Sequence, residues 1–565
     1  MNWPRNLSIR PRTNHRQAMA KVKIIVCQCP ELALDAQALV SWLERGGAEV
    51  QLLPPLCTPD GLMQLRTRLA SQTGEWLIAA CGPERHAGLF QRLTPVAVVR
   101  VVDLLAYQDL ESAVAALTLA QSTPSQPEPS IAPVSPEVLI VGGGVGGCQA
   151  ALDLARGGHK VYLVDRALSI GGIMAQLDKT FPTLDCSICI LGPKLVEVAS
   201  HPNIELLTYV GIDRIAGQTG HFVVDLTLKP RYVDMTKCVG CGSCTEVCPI
   251  IVPSRWDLDL KPSKCIRIWF AQAVPLRAAI DKEYCIDCQL CVKACEHQAI
   301  NLAEEPQSRQ LTVGAIILAT GARPFDPSIK SEYGYGRIPT VVTNLEYERI
   351  VCASGPTLGG LVTPEGRPVQ RLAFIQCVGS RDRRFLPYCS GYCCTASIKE
   401  AMLALEHQPD VEVTIFYNDI RTSGKGFEEL YQRARQAGVK FIKGLPGRIQ
   451  EDETGQAVIA YENQHTGRRA QLTADLVVLA VGLEAPKEDL PFEGPTPARD
   501  RLGFYQCREP VLHPLESTLP GVFLAGTCQG PQDITTTVCQ GSGVAARVLN
   551  MFNALQGKVS RSGGQ

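Results

Sequence analysis

EVLIVGGGVGGCQAALDLARGGHKVYLVD, residues 137–165, is the stretch that decides the fold. A short apolar run leads into Gly142, Gly144 and Gly147, spaced G-x-G-x-x-G, and a helix-like segment then carries the chain to a second run that ends at Asp165. Each glycine has its own duty: one makes the tight turn, one lets backbone approach a pyrophosphate, and one lets the helix pack closely on its strand. Asp165 stands where an acid hydrogen-bonds a ribose hydroxyl. The glycines alone would also suit a structural turn. Strand, helix, second strand and acid in that order predict a dinucleotide-binding unit.

Two later segments extend this reading. AIILATGARP (315–324) is a strand ending in Ala-Thr-Gly, and GVFLAGTCQGPQDITTTVCQGSGVAARVLN (521–550) is strand, glycine turn and helix. Both resemble the later FAD motifs of two-dinucleotide flavoprotein reductases. That resemblance implies FAD as the occupant, with Gly171, Gly172, Thr320, Gly321 and Gly526 joining the first three glycines and Asp165 in the site. One thioredoxin-reductase-like FAD domain is then interrupted by insertions, which nucleotide folds accept in surface connections.

Of the 24 cysteines, nine fall between Cys238 and Cys295. Cys238, Cys241, Cys244 and Cys248 are spaced C-x-x-C-x-x-C-x-x-x-C before Pro249, and Cys285, Cys288, Cys291 and Cys295 repeat the pattern, with Glu296 in place of the proline. Three thiolates at this spacing wrap one face of a cubane, and in two-cluster ferredoxins the fourth cysteine of each run serves the other cluster. The spacing thus predicts one 4Fe-4S cluster on Cys238, Cys241, Cys244 and Cys295, and another on Cys285, Cys288, Cys291 and Cys248. Structural zinc would use two pairs rather than two such quartets. Cys265 fits neither set and reads as a small buried hydrophobe.

From Arg371 the chain again runs strand, loop, helix and strand, RLAFIQCVGSRDRRFLPYCSGYCCTASIKEAMLALE and then VEVTIFYND. A pyridine-nucleotide reductase would carry a second glycine fingerprint in that loop. Cys377, Cys389, Cys393 and Cys394 stand there instead. Bulky residues block backbone approach to a pyrophosphate, so NAD(P)H is disfavoured and a third 4Fe-4S cluster is expected. Buried or redox-active thiols are the other reading of these residues.

Upstream, residues 23–120 alternate β-branched runs with helix-like segments, the pattern of a small α/β domain. QSTPSQPEPSIAPVSP (121–136) reads as a Pro/Ser linker. The opening MNWPRNLSIRPRTNHRQAMA lacks the apolar core of a secretory signal and reads as a disordered tail over 1–22, or as an upstream start with translation beginning at Met19. Lys plus Arg number 55 against 56 for Asp plus Glu, which leaves no field to gather nucleic acid or an anionic membrane. Regular C-x-x-C spacing and the lack of a membrane-length apolar run point to a reducing, cytoplasmic compartment.

With these segments assembled, the chain closely resembles the A subunit of heterodisulfide reductase and its bacterial relatives, from Val138 to Asn550. The strings that carry the resemblance include GGIMAQLDKTFPTLDCSICILGPK (171–194), EYGYGRIP (332–339), FIQCVGSRD (374–382), PYCSGYCC (387–394) and GPQDITTTVCQGS (530–542). It implies that the cluster on Cys377, Cys389, Cys393 and Cys394 lies close to the flavin. It also implies that Lys399 and Glu346 lie near the isoalloxazine, where an ammonium would stabilise reduced flavin and a carboxylate would tune its potential or shuttle a proton. Cys186 and Cys189 match another signature of that family, as a redox pair, cluster ligands or packing beside the flavin. Cys27, Cys29, Cys57 and Cys81 match its amino-terminal domain. Whether they hold a fourth cluster stays open, because a family segment with a cysteine before Ser-Trp is replaced by VVDLLAYQD.

The implied organisation is an N-terminal α/β domain over 23–120, FAD parts over 137–230, 304–370 and 486–555, a ferredoxin-like insert over 231–303, a second Rossmann-like domain over 371–485 and a tail over 556–565. The resemblance implies a short form, without the family's C-terminal ferredoxin domain. The implied activity is that of an FAD and iron-sulfur oxidoreductase component within a multi-subunit complex. Its implied partners are heterodisulfide reductase B- and C-like subunits and a ferredoxin, or an iron-sulfur protein linked to hydrogenase or formate dehydrogenase. Flavin-based bifurcation, which needs two exit paths, stays open on the shorter wiring. The competing readings are an NAD(P)H-dependent reductase resembling the glutamate synthase small subunit, and a non-catalytic electron carrier or scaffold.

Overall fold

The computed structural model describes residues 23–30, 34–45, 47–71, 75–80, 98–104, 109–122 and 134–562. The expected tail over 1–22, most of the linker and Cys81 lie outside them. The chain divides into two units, Met1–Ile131 and Ala132–Gln565.

In the first unit a parallel sheet runs in the order Glu49–Leu53, Lys23–Cys27, Glu75–Ala80, Val98–Asp103. Both faces of its central strands are buried, which is why they read as continuous apolar runs. Ile24 and Val26 pack with Leu39 and Leu117 on one face, and Ile25 and Cys27 with Leu65 and Trp76 on the other. Cys27 ends its strand and accepts the Leu56 N–H on Sγ at 3.3 Å, while Cys29 is half-buried and Cys57 exposed.

The second unit holds two nucleotide-type sheets. In the first, Ala315–Leu318 pairs in parallel with Val138–Val141, followed by Val161–Asp165 and Ile204–Thr208. On the other side of Ala315–Leu318 stand Val522–Leu524, His513–Ser517 and Cys507–Glu509. Helices Val145–Arg156, Ser187–Ser200 and Ile534–Ser562 cover this sheet, joining Ala151, Leu195 and Val548 in one core. The last helix continues to Ser562, into the stretch expected to be a tail. Its Gln, Lys and Arg residues are polar but good helix formers, so composition alone gave no stop.

The cysteine-rich insert leaves and rejoins between two strands that are neighbours. His221–Leu228 pairs antiparallel with Gln307–Val313, with Leu228 opposite Gln307. An excursion starting and ending at adjacent positions leaves the host sheet unbroken, which is the physical reason an insertion of this size is tolerated.

The second sheet is parallel, in the order Val341–Thr343, Leu476–Val481, Arg371–Val378, Glu412–Tyr417, Lys440–Lys443. Its first strand and the helix Asn344–Val351 come from the stretch expected to complete the flavin sheet over 304–370. Val341 instead pairs with Val477. That stretch therefore divides between the two sheets, a change of partner that a three-residue strand cannot signal in sequence.

Candidate functional site

A cavity of about 460 Å³ opens above the first glycine turn. Gly142 has φ +110°, and a Cβ there would lie 2.3 Å from Ala319 O; a Cβ on Gly147 would lie 2.0 Å from Gly142 O. Both positions therefore exclude any side chain. Gly144 has open space where a Cβ would stand, leaving backbone bare toward the cavity. Gly171 donates to Gly143 O at 2.8 Å and, with Gly172, closes the loop from the other side. Asp165 lines the same space, its two carboxylate oxygens each accepting a main-chain N–H at 2.7 Å, from Gly143 and Ala167. Burial raises its carboxyl. Thr320, Gly321 and Gly526 complete this wall, and the Thr320 hydroxyl oxygen is buried without a partner. An orphaned hydroxyl, an uncovered glycine and two close-packed glycines fit a bound dinucleotide.

The second parallel sheet closes the cavity through two helices. Asn344 and Glu348, one turn apart on Asn344–Val351, face it together with Lys399 and Glu400 from Cys393–His407. Lys399 Nζ forms a buried ion pair with Glu348 Oε1. Glu346 closes a capping box: its Oε2 accepts the Thr343 N–H at 2.6 Å and hydroxyl at 2.8 Å, and its Oε1 accepts the Tyr335 hydroxyl at 2.9 Å. Among the described residues the carboxylates lining this part of the cavity are Glu348 and Glu400, and Glu346 is not a lining residue. Sequence reading passed over Glu348 and Glu400. The available signal was the i, i+4 spacing of Asn344 and Glu348 on one short helix.

Trp256 and Trp269 of the insert also line the cavity. Trp256 stacks on Phe270 at 4.0 Å, and Gln176 donates to Trp256 O at 2.8 Å. Arg349 fastens the insert to both nucleotide sheets. Its guanidinium reaches Asp257 Oδ1 at 3.0 Å from Nη2 and Gln176 O at 3.2 Å from Nη1, with both charged side chains almost fully buried.

Within the insert, Cys238, Cys241, Cys244 and Cys295 surround one small cavity. Cys248, Cys285, Cys288 and Cys291 surround another, where Cys265 is a fifth thiol. Burial lifts Cys244 to about 11 and Cys265 to about 12, while the Ser243 hydroxyl lowers exposed Cys241. Cys265 Sγ donates to Asp281 O at 3.1 Å. Among the described residues no three His, Cys, Asp or Glu side chains converge on a single-ion site. The thiols ring cavities instead.

Cys377, Cys389, Cys393 and Cys394 also come together, close enough that each thiol's charge bears on its neighbours. Cys377 takes φ +59° at the end of its strand, and Cys393 and Cys394 are buried at the start of their helix. Burial raises Cys377 to about 11 and Cys393 further still. Four clustered, mutually repelling thiols become good ligands only when a cation offsets their charge. Cys186 and Cys189 form a disulfide at the head of Ser187–Ser200.

Fold and cavity together define a two-dinucleotide-fold flavoprotein oxidoreductase. The pyridine nucleotide-disulphide oxidoreductase family matches residues 136–351. The A subunit of the H(2):CoB-CoM heterodisulfide,ferredoxin reductase of Methanothermobacter marburgensis is 44% identical over 83% of this chain and 75% of its own length. The iron-sulfur A subunit of the CoB–CoM heterodisulfide reductase of Methanocaldococcus jannaschii is 41% identical over 94% of this chain and 85% of its own. The chain belongs to this family of heterodisulfide reductase A subunits. Among solved structures, T. acidophilum thioredoxin reductase aligns over 74% of this chain and 99% of its own, at 15% identity and a TM-score of 0.42. Among the described residues no helix is long and apolar enough to cross a membrane.

Proposed function

We propose that the chain holds FAD in the glycine-lined cavity and three 4Fe-4S clusters. Two would sit on the quartets Cys238/Cys241/Cys244/Cys295 and Cys285/Cys288/Cys291/Cys248, and the third on Cys377/Cys389/Cys393/Cys394. The flavin supplies two-electron chemistry that exchanges with one-electron carriers. The chain's own residues bind the nucleotide through the Gly142 turn and Asp165, exclude water with Trp256 and Trp269, and set the charge of the cavity with Lys399 and Glu348. Partner subunits bring the terminal substrate, in keeping with relatives whose names join heterodisulfide, ferredoxin, hydrogen and formate. The observation that carries this reading is the Cys377–Cys394 loop. Thiols occupy the place where a second nucleotide would need glycines, next to helices that line the flavin cavity.

Anaerobically purified protein is expected to contain one FAD and about twelve irons, four for each cubane. About eight irons with the insert intact would remove the third cluster. Neither NADH nor NADPH should bleach the flavin of the isolated chain; rapid stoichiometric bleaching would favour the nucleotide-dependent reductase.

A further inference from the structure

Glu400 is a carboxyl group for which the cavity provides no counter-ion of its own. Its side chain is fully buried, and neither oxygen meets a hydrogen-bond donor. Lys399, the adjacent residue, is committed to Glu348 Oε1, and the other Glu348 oxygen accepts the Asp178 N–H at 3.0 Å. Yet Glu348 lines the same cavity, and its charge bears on the Glu400 carboxyl. Two ionised carboxylates placed so repel each other, and neither can donate. One proton turns the repulsion into a hydrogen bond, and the group without a cation is the one to carry it.

We propose that Glu400 is the proton-holding group of the flavin cavity: a neutral acid donating to Glu348 in the resting protein, and the source of the proton taken up when electrons enter. The assignment rests on the reading of this cavity as the flavin site. Bound FAD would take two electrons, one at a time, from an iron-sulfur donor, and Glu400 would supply the accompanying proton. Its O–H bond would break, with the electron pair staying on the carboxylate and the proton leaving to the reduced flavin. Lys399 then lies against two carboxylates, and a proton from solvent restores Glu400.

Burial, followed by the charge of Glu348, pushes the Glu400 carboxyl well above the ordinary carboxylate range. The titratable groups facing it are Glu348 and Tyr347 from one helix, Lys399 from its own, and Tyr392 at the N-cap of its own helix. Of these only Lys399 is cationic, and it is already paired.

The test compares the parent with Glu400→Gln, which keeps the volume and a donor toward Glu348 but has no proton to release. Infrared spectra of the flavin-free proteins should show a protonated-carboxyl band in the parent that is missing from the variant, and Glu348→Gln, which weakens the acceptor, should shift that band. After loading with FAD, reduction by dithionite should slow roughly a hundredfold in Glu400→Gln, the scale of a lost general acid, at unchanged flavin content. A parent without the band, or a variant that keeps it, overturns the proposal. So does an unchanged reduction rate. If FAD does not bind at all, the flavin reading fails, and the infrared result still decides the state of Glu400. Should Glu400→Gln not fold, the Glu348→Gln shift decides alone.

Discussion

The Lys399–Glu348 pair changes what a lysine in this cavity means. From sequence it is an ammonium near a flavin; in the fold it is half of a buried ion pair, 2% and 1% exposed. Removing one partner of such a pair strands the other charge and costs about 3 to 5 kcal/mol. Lys399→Ala should therefore lower the melting temperature by several degrees, and Lys399→Met combined with Glu348→Gln should recover most of the loss. A melting temperature for Lys399→Ala equal to the parent's would show that Glu348 is not left stranded. Glu400 gives a separate prediction in pH. Its folded carboxyl binds a proton more tightly than the unfolded one, so its contribution to stability is greatest at low pH. That contribution declines as pH rises from about 4.3, the unfolded carboxylate value, toward the folded value. Denaturant titrations across that window should show the decline in the parent, with Glu400→Gln lacking this component.

Helices and loops show how independent the redox elements are. The insert has its own small core, in which Val233, Val252 and Ile266 pack around the cysteines, and its thiols are set apart from the residues of the glycine turn. Cys241→Ala should therefore lose about four irons and one paramagnetic signal while FAD content stays at the parent level. Loss of all flavin would show instead that the insert is required to build the FAD site. The helix Cys393–His407 is less separable, since its first residues are thiols and its middle residues line the glycine-walled cavity. Its position was legible from the strand, loop, helix order after Arg371. Which of its faces meets the cavity was not, because Ile398, Lys399, Glu400 and Ala401 are all buried and leave no amphipathic stripe to read.

Across the second unit, Arg349 touches all three parts with one side chain. It comes from a helix of the second sheet, pairs with Asp257 of the insert and donates to Gln176 of the FAD part. Asp257 also accepts from Ser254 Oγ at 3.0 Å and meets Lys261 at 3.2 Å, so the carboxylate is well satisfied. Arg349→Met should leave Asp257 buried with weaker compensation and destabilise this unit by roughly 3 kcal/mol. Limited proteolysis should then cut the 254–261 loop earlier than in the parent, with iron content intact. Cleavage at the parent rate would mean that the insert is held by its aromatic contacts, Trp256 and Phe270 foremost.

What the sequence determined by itself was local chemistry: the glycine turn of 142–147, the acid at 165 and the spacing of two cysteine quartets. Each is a short-range pattern whose meaning depends on a few dihedrals and ligand distances. Tertiary structure decided the long-range pairings. It moved Val341–Thr343 to the second sheet, set Trp256 against the glycine-walled cavity and brought Glu348, Lys399 and Glu400 together across two helices. The physical reason is that a buried charge is defined by its neighbours. In sequence Glu346, Glu348 and Glu400 are the same residue type, and only packing gives the first a cap, the second a lysine and the third a proton.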